Sequence, residues 1–220
     1  MESPTIKSFK LRGTRITDAQ LDARRRLWST YGVDVVDHEV DLRAIFPGEG
    51  KIVAEIGFGM GEATITIAQN FPETRFLAID VHLPGIGKVL SVIEQAKIAN
   101  IRVMDEDAHL ILGRMIPNDS LDGVHLFFPD PWPKTRHHKR RIVNESFINL
   151  VADKLKVGAA FNIATDWVPY AISIEETFRG SDRYAGGAID RPDWRPHTRF
   201  EGQGISKDHY VTDFEYKKIK

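Results

Sequence analysis

From residue 51 to residue 178, short mainly apolar runs alternate with stretches whose apolar residues follow a helical period. The runs fall at 51–56, 74–80, 101–104, 121–128 and 159–165, each too short to cross a membrane and each bounded by turn residues, as expected of strands buried on both faces. Helical spacing is predicted over 63–71, from beyond Pro84 and Gly87 to about 100, and over 108–115, 140–156 and 168–178. In the fourth of these Val143, Phe147, Leu150, Val151 and Leu155 share one face. Ahead of this rhythm, Thr17-Asp-Ala-Gln20 fits a capping box opening a helix to about Tyr31, and Gly32 ends it. Residues 180–199, rich in Gly, Pro and Arg, read as a surface loop, and 210–216 alternate as a closing strand. The βαβα order implies an α/β chain: one domain built on an open, mostly parallel sheet with helices on both faces.

Composition narrows this picture more than it extends it. The 220 residues suffice for one domain with a sizeable core, and cysteine is absent, which excludes disulfides, thiolate metal sites and cysteine nucleophiles. No apolar signal core or membrane-length run is present, so a cytoplasmic protein with no membrane partner is expected. The net charge of −1 conceals a pattern, with bases concentrated over 7–26 and 134–141 and acids over 34–41 and 105–107. Binding to nucleic acid follows the local patch and not the total, so a polyanionic partner remains open. Residues 1–16 lack periodicity and carry Lys7, Lys10, Arg12 and Arg15; they form either a flexible basic arm or one that orders on RNA.

The first strand leads into Glu55-Ile-Gly-Phe-Gly-Met-Gly61 and then a helix, the ligand loop of a doubly wound sheet. Gly57, Gly59 and Gly61 permit positive φ and close approach of a ligand to the backbone. A dinucleotide fingerprint requires glycine at 62, where this chain has Glu62, an acid where a pyrophosphate would sit. A ligand without phosphate fits better, and S-adenosylmethionine has an ammonium group that Glu55 can accept from. Asp80, at the end of the second strand, stands where an acid takes ribose hydroxyls. Asp107, after the third strand, serves either an adenine amino group or a helix N-cap.

The fourth strand opens into Phe127-Phe-Pro-Asp-Pro-Trp-Pro-Lys-Thr-Arg-His-His-Lys-Arg-Arg141, whose alternate prolines fix φ around Asp130 and Trp132. Ligands in such sheets bind at the switch point between strands one and four, which brings Asp130 beside the glycine turn. Asp130 can accept from a guanine N1–H and exocyclic amine, and Trp132 either stacks on a base or packs into the core. Lys134, Arg136, Lys139, Arg140 and Arg141 read as phosphate contacts, the alternative being a solvated charged face.

Taken together the motifs resemble the tRNA (guanine-N7-)-methyltransferases, whose bacterial members modify guanine 46 of the variable loop. The resemblance spans nearly the whole chain: Arg12-Gly-Thr-Arg-Ile-Thr17 with Trp28 and Tyr31, the glycine turn, Val81-His-Leu-Pro-Gly-Ile-Gly87, Phe127 to Arg141, Thr165-Asp166 and Thr198-Arg-Phe-Glu201. It implies a Rossmann-like class I methyltransferase fold with a seven-stranded sheet, S-adenosyl-L-methionine as cofactor, S-adenosyl-L-homocysteine as product, and tRNA as partner. By motif position Glu55, Asp80, Asp107 and Asp130 match cofactor contacts, with Asp130 also the proposed catalytic residue. Lys134, Asp166, Thr198, Arg199, Phe200 and Glu201 match substrate contacts, and residues 136–141 the RNA-contacting run. No metal is implied, and both monomer and homodimer stay open. The chain departs from the family pattern at Asp80 (commonly glutamate), at Thr135 and His138, and at Gly202-Gln203 in place of Arg-Gly.

The reaction so implied is displacement of a sulfonium methyl by guanine N7. That atom carries a lone pair and no proton, so catalysis is expected to rest on positioning and electrostatics. Competing readings are a nicotinamide oxidoreductase, disfavoured by Glu62, and a non-catalytic RNA-binding module, which would need neither Glu55 nor the glycine turn. A methyltransferase acting on an amino group would carry an Asp-Pro-Pro-Tyr-type loop where this chain has Pro-Asp-Pro-Trp.

Overall fold

The computed structural model describes residues 8–9, 15–46, 48–198, 201 and 210–220. Seven strands form one sheet: β1 (Ile52–Ile56), β2 (Arg75–Ile79), β3 (Ile101–Met104), β4 (Leu121–Phe127), β5 (Leu155–Thr165), β6 (Tyr184–Ile189) and β7 (Thr212–Lys218), in the order β3-β2-β1-β4-β5-β7-β6. The first five pair in parallel, and β7 runs antiparallel to both its neighbours, so the sheet is mixed and not wholly parallel. Helices α1 (Asp18–Tyr31), α2 (Glu62–Asn70) and α3 (Leu83–Ala96) supply one buried core, with Ala23, Leu27, Ala63, Ile67, Ile86, Val89, Leu90 and Ile93 packed against Val53, Phe76 and Val103. The short α4 (Ala108–Leu110) with its π-helical continuation Ile111–Met115, α5 (Glu145–Lys154) and α6 (Val168–Arg179) supply the other, around Ala54, Leu77, Val124 and Phe161. Each wholly buried Ile, Leu or Phe contributes about 1.5–3 kcal/mol relative to exposure. The strand order reverses between β1 and β4, which sets the crevice for a ligand at their carboxyl ends. No helix among the described residues is long and apolar enough to cross a membrane.

Several elements differ from the sequence expectation. The capping box at Thr17 forms in both directions, Gln20 N donating to Thr17 Oγ1 at 3.3 Å and Thr17 N to Gln20 Oε1 at 2.9 Å. Helix α3, however, begins at Leu83 and contains Gly85 and Gly87. Side chains there would collide with Gly59 O and with the α1 backbone at Gln20, so both glycines are needed for contact between elements. The helix expected over 140–156 starts only at Glu145, because Asn144 caps it and residues Thr135–Arg140 form a separate 3-10 turn. Beyond its end the chain enters β5 at Leu155, four residues earlier than the apolar run suggests. Finally, the supposed loop over 180–199 holds β6, an edge strand paired with β7, where Gly186 (φ 140°) passes too close to Glu215 O for any side chain.

Candidate functional site

The crevice is a cavity of about 880 Å³ lined from the carboxyl ends of β1, β2 and β4, the loops after β3 and β5, and Ser8, Phe9, Ile16 and Thr198. Its first wall is the glycine turn. Gly57, Gly59 and Gly61 have φ of 72°, 58° and 77°, a region that penalises side-chain-bearing residues. At Gly57 and Gly59 an added Cβ would meet nothing within 4 Å, so the turn leaves open space beside bare backbone. Asp80 fastens this turn to the next strand: Gly59 N donates to Oδ2 at 2.6 Å and His82 N to Oδ1 at 2.8 Å. Burial pushes the Asp80 carboxyl above its ordinary range despite these two bonds.

Glu55 lies on the cavity floor, 2% exposed, and its Oε2 has no hydrogen-bond partner. Burial pushes its carboxyl up to about 7; the nearby Thr64 hydroxyl opposes the rise and the neighbouring Asp80 charge adds to it. An orphaned buried acceptor at the end of a ligand crevice is unfavourable until a donor arrives. Asp107 proves to be a cap as well as a cavity residue, with His109 N donating to Oδ1 at 2.9 Å at the start of α4. Nearby, Arg24 of α1 reaches across to pair with Asp105.

Asp130 lines the cavity between Phe128 and Trp132, whose φ values of 52° and 46° place two bulky residues in the left-handed region. Such backbone costs on the order of 1–3 kcal/mol per residue and persists only where surrounding contacts impose it. Arg141 supplies some of them: it is buried, donates from Nε to Pro131 O at 3.0 Å and lies over the Tyr170 ring at 4.8 Å. Arg141, expected as a phosphate contact, is placed with its guanidinium beneath the loop. Trp132, expected either to stack on a base or to pack into the core, is half-buried. Its indole N–H donates to Ser8 O at 3.0 Å, Arg140 covers its face at 4.9 Å, His137 meets its edge at 5.8 Å, and it does not line the cavity. Lys134, Arg136 and Lys139 are exposed, directly following the cavity-lining Pro133, while Arg140 is half-buried.

Asp166 and Thr198 line the cavity as expected. Glu201 does not: it is 2% exposed and bound twice by Arg195, which also grips Asp213. Burial disfavours the Glu201 carboxylate, but the Arg195 hydrogen bonds outweigh that and hold it below its ordinary range. Arg199, Phe200, Gly202-Gln203 and the basic residues Lys7, Lys10 and Arg12 lie outside the described residues. Two residues not expected from the sequence also shape the site: Trp167, an aromatic wall beside Asp166, and the anchor Arg195. Position directly after a strand-end acid was the available signal for Trp167; for Arg195 there was none.

Among the described residues lining the cavity are seven carboxylates (Glu55, Glu62, Asp80, Glu106, Asp107, Asp130 and Asp166) and no lysine or arginine. Within the described residues no group of three His, Cys, Asp or Glu is arranged as a metal site. This set of acceptors suits an organic cation with ammonium and hydroxyl donors and opposes a pyrophosphate.

Residues 49–214 match a family model described as "Putative methyltransferase". The tRNA (guanine-N(7)-)-methyltransferase of Streptomyces avermitilis is 45% identical over 220 residues, covering 98% of this chain and 76% of that protein. That of Nitrosomonas europaea is 43% identical over 218 residues, covering 98% and 97%. Among solved structures, an antibiotic-related methyltransferase superposes with a TM-score of 0.57 at 16% identity, covering 87% of this chain and 98% of that one. A 30S ribosomal A1408 methyltransferase from an uncultured bacterium gives 0.55 at 15% identity, covering 86% and 98%. At such identities the structural likeness establishes the class I methyltransferase fold.

Proposed function

This chain belongs to the tRNA (guanine-N(7)-)-methyltransferase family, and we propose that it transfers the methyl group of S-adenosyl-L-methionine to N7 of guanine 46 in tRNA. The observation that carries the reading is the cavity lined, among the described residues, by seven carboxylates and no lysine or arginine, which matches a cofactor bearing sulfonium and ammonium charges and opposes phosphate-bearing ones. When bound, S-adenosyl-L-methionine supplies an electrophilic methyl on a sulfonium centre and leaves as S-adenosyl-L-homocysteine.

Glu55 accepts from the cofactor's ammonium, which gives its orphaned Oε2 a partner. Asp80 and Asp107 accept from ribose and adenine; each carboxylate oxygen already bonded to backbone keeps a second lone pair. Gly57, Gly59 and Gly61 let the cofactor lie against the backbone. On the substrate side Asp130 is the catalytic residue: it orients guanine through the N1–H and amine and abstracts no proton, because N7 has none. Alkylation at N7 makes the purine cationic, so Asp130 and Asp166 favour the charge that develops there. Lys134, Arg136, Lys139 and Arg140 hold the RNA backbone, and Thr198 faces the base.

Incubating bulk tRNA with radiolabelled S-adenosylmethionine, then digesting it to nucleosides, tests this directly. Label is expected in 7-methylguanosine at position 46, and label in any other nucleoside overturns the proposal.

A further inference from the structure

The substrate side of the cavity is fastened by a charge cluster that does not itself reach the cavity. Arg195 is 1% exposed. Its Nε and Nη2 donate to Asp213 Oδ1 and Oδ2 at 2.6 and 2.9 Å, and its Nη1 and Nη2 donate to Glu201 Oε2 and Oε1 at 2.9 and 3.0 Å. One guanidinium thus meets two carboxylates bidentately, the strongest geometry available to it. Its plane also lies 5.6 Å from the Phe128 ring and 6.0 Å from Phe127, the residues that lead into Asp130. Asp213 is the register partner of Ala164 on β5, two residues before Asp166. The backbone N–H of Glu201 donates to Thr198 Oγ1 at 3.2 Å. Phe127, Phe128, Asp166 and Thr198 line the cavity, whereas Arg195, Glu201 and Asp213 do not.

We propose that Arg195 is a positioning residue for the guanine pocket, and that Glu201 acts through Arg195 and not by touching substrate. With Asp213 they fix Thr198 and the Phe127-Phe128 approach to Asp130 relative to β5 and Asp166. This inference rests on the guanine-transfer reading above. A buried guanidinium deprived of one carboxylate is left poorly compensated and rearranges, and transfer governed by positioning is sensitive to shifts on the order of 1 Å.

The test uses the full chain with Glu201→Gln, Asp213→Asn and the double variant, all near-isosteric. S-adenosylhomocysteine affinity is measured by calorimetry, tRNA affinity by filter binding, and methyl transfer in single turnover at saturating tRNA. Each single variant is expected to keep both affinities within about threefold of the parent while transfer slows by more than about tenfold. The double variant is expected to be little slower than either single, since both break one cluster. A defect confined to Glu201→Gln, or losses that multiply in the double variant, would mean that Glu201 meets substrate directly and would overturn the inference. Should Asp213→Asn not fold, Arg195→Lys takes its place, keeping the charge and losing the bidentate pairing. If the parent protein makes no 7-methylguanosine, the functional reading fails by itself. The cluster is then judged by melting temperature, where losses that simply add across the two carboxylates would refute it.

Discussion

The two halves of the cavity are held in shape by different means. On the cofactor side the carboxylates are set by nearby backbone: Asp80 by the N–H groups of Gly59 and His82, Asp107 by that of His109. Glycines supply the rest, three of them in a single turn at positive φ. On the substrate side the anchors are side chains: Arg195 to Glu201 and to Asp213 on β7, Arg141 to Pro131 O within its own loop, and Trp132 to Ser8 O near the start of the chain. A motif of a few residues can encode the first half almost alone, because its hydrogen bonds close within a strand, a turn and the next strand. In the second half, the Arg195 anchor exists only once β7, which carries Asp213, has docked against β5. Chemistry on the substrate side can therefore be altered from residues that never meet the substrate.

Asp130 sits where the halves meet, and its loss should have the largest effect. Asp130→Ala is expected to lower kcat/KM on tRNA by roughly 10²–10³, the scale of removing one preorganised electrostatic contact to the reacting centre. S-adenosylhomocysteine affinity should fall far less, since Glu55, Asp80 and Asp107 remain. Steady-state kinetics paired with calorimetry checks both, and near-normal turnover would remove Asp130 from the catalytic role.

The same division decides what the sequence could disclose. The alternation of buried strands and amphipathic helices, the capping box at Thr17 and the acids at the ends of β1, β2 and β4 all follow from local spacing. Strand β6 did not: Ala185-Gly-Gly-Ala188 has no apolar alternation, and its pairing depends on Gly186 passing under β7. For Arg141 and Trp132 the loop is legible but the surroundings are not, since burial against Tyr170 or a bond to Ser8 requires contacts from distant chain. Arg195 was invisible for a stronger reason. An arginine in a Pro- and Arg-rich stretch reads as surface, and only its two carboxylate partners show that it is buried.

Within the cofactor half, Glu55 offers a prediction in which stability and affinity move oppositely with pH. Its folded carboxyl titrates near 7, above the ordinary value of 4.5, because burial favours the neutral form. The stabilising effect of that neutral form is complete below 4.5 and is lost as pH rises through about 7, so the ligand-free protein should melt lower at pH 8 than at pH 6. Asp80 is raised in the same direction and adds to this trend. Cofactor binding needs the ionised carboxylate opposite an ammonium, so affinity should instead tighten as pH rises across 7. Glu55→Gln is expected to flatten both profiles and to weaken binding at pH 8 by roughly tenfold, the loss of one charge-assisted hydrogen bond worth about 1.5 kcal/mol. Calorimetry and thermal melts at pH 6, 7 and 8 read both; parallel pH trends in affinity and stability would break the assignment of Glu55 to the ammonium.

The smallest effect is expected at the edge of the substrate half, where charge faces solvent. Lys134, which caps the 3-10 turn beyond Pro133, and Arg136 within it are exposed, so the proposed role of each is a screened contact to phosphate. Lys134→Ala with Arg136→Ala should weaken tRNA binding severalfold near 0.1 M salt and make the plot of log affinity against log salt shallower by roughly 1.5, about 0.7–0.9 per phosphate contact. Melting temperature should stay close to that of the parent. Arg141→Ala should do the reverse, leaving the salt slope intact and lowering the melting temperature, because its guanidinium is engaged with Pro131 O and the Tyr170 ring. Filter binding from 50 to 200 mM salt beside thermal melts separates the two arginines, and an Arg141→Ala slope as shallow as that of the double variant would return Arg141 to the RNA-binding surface.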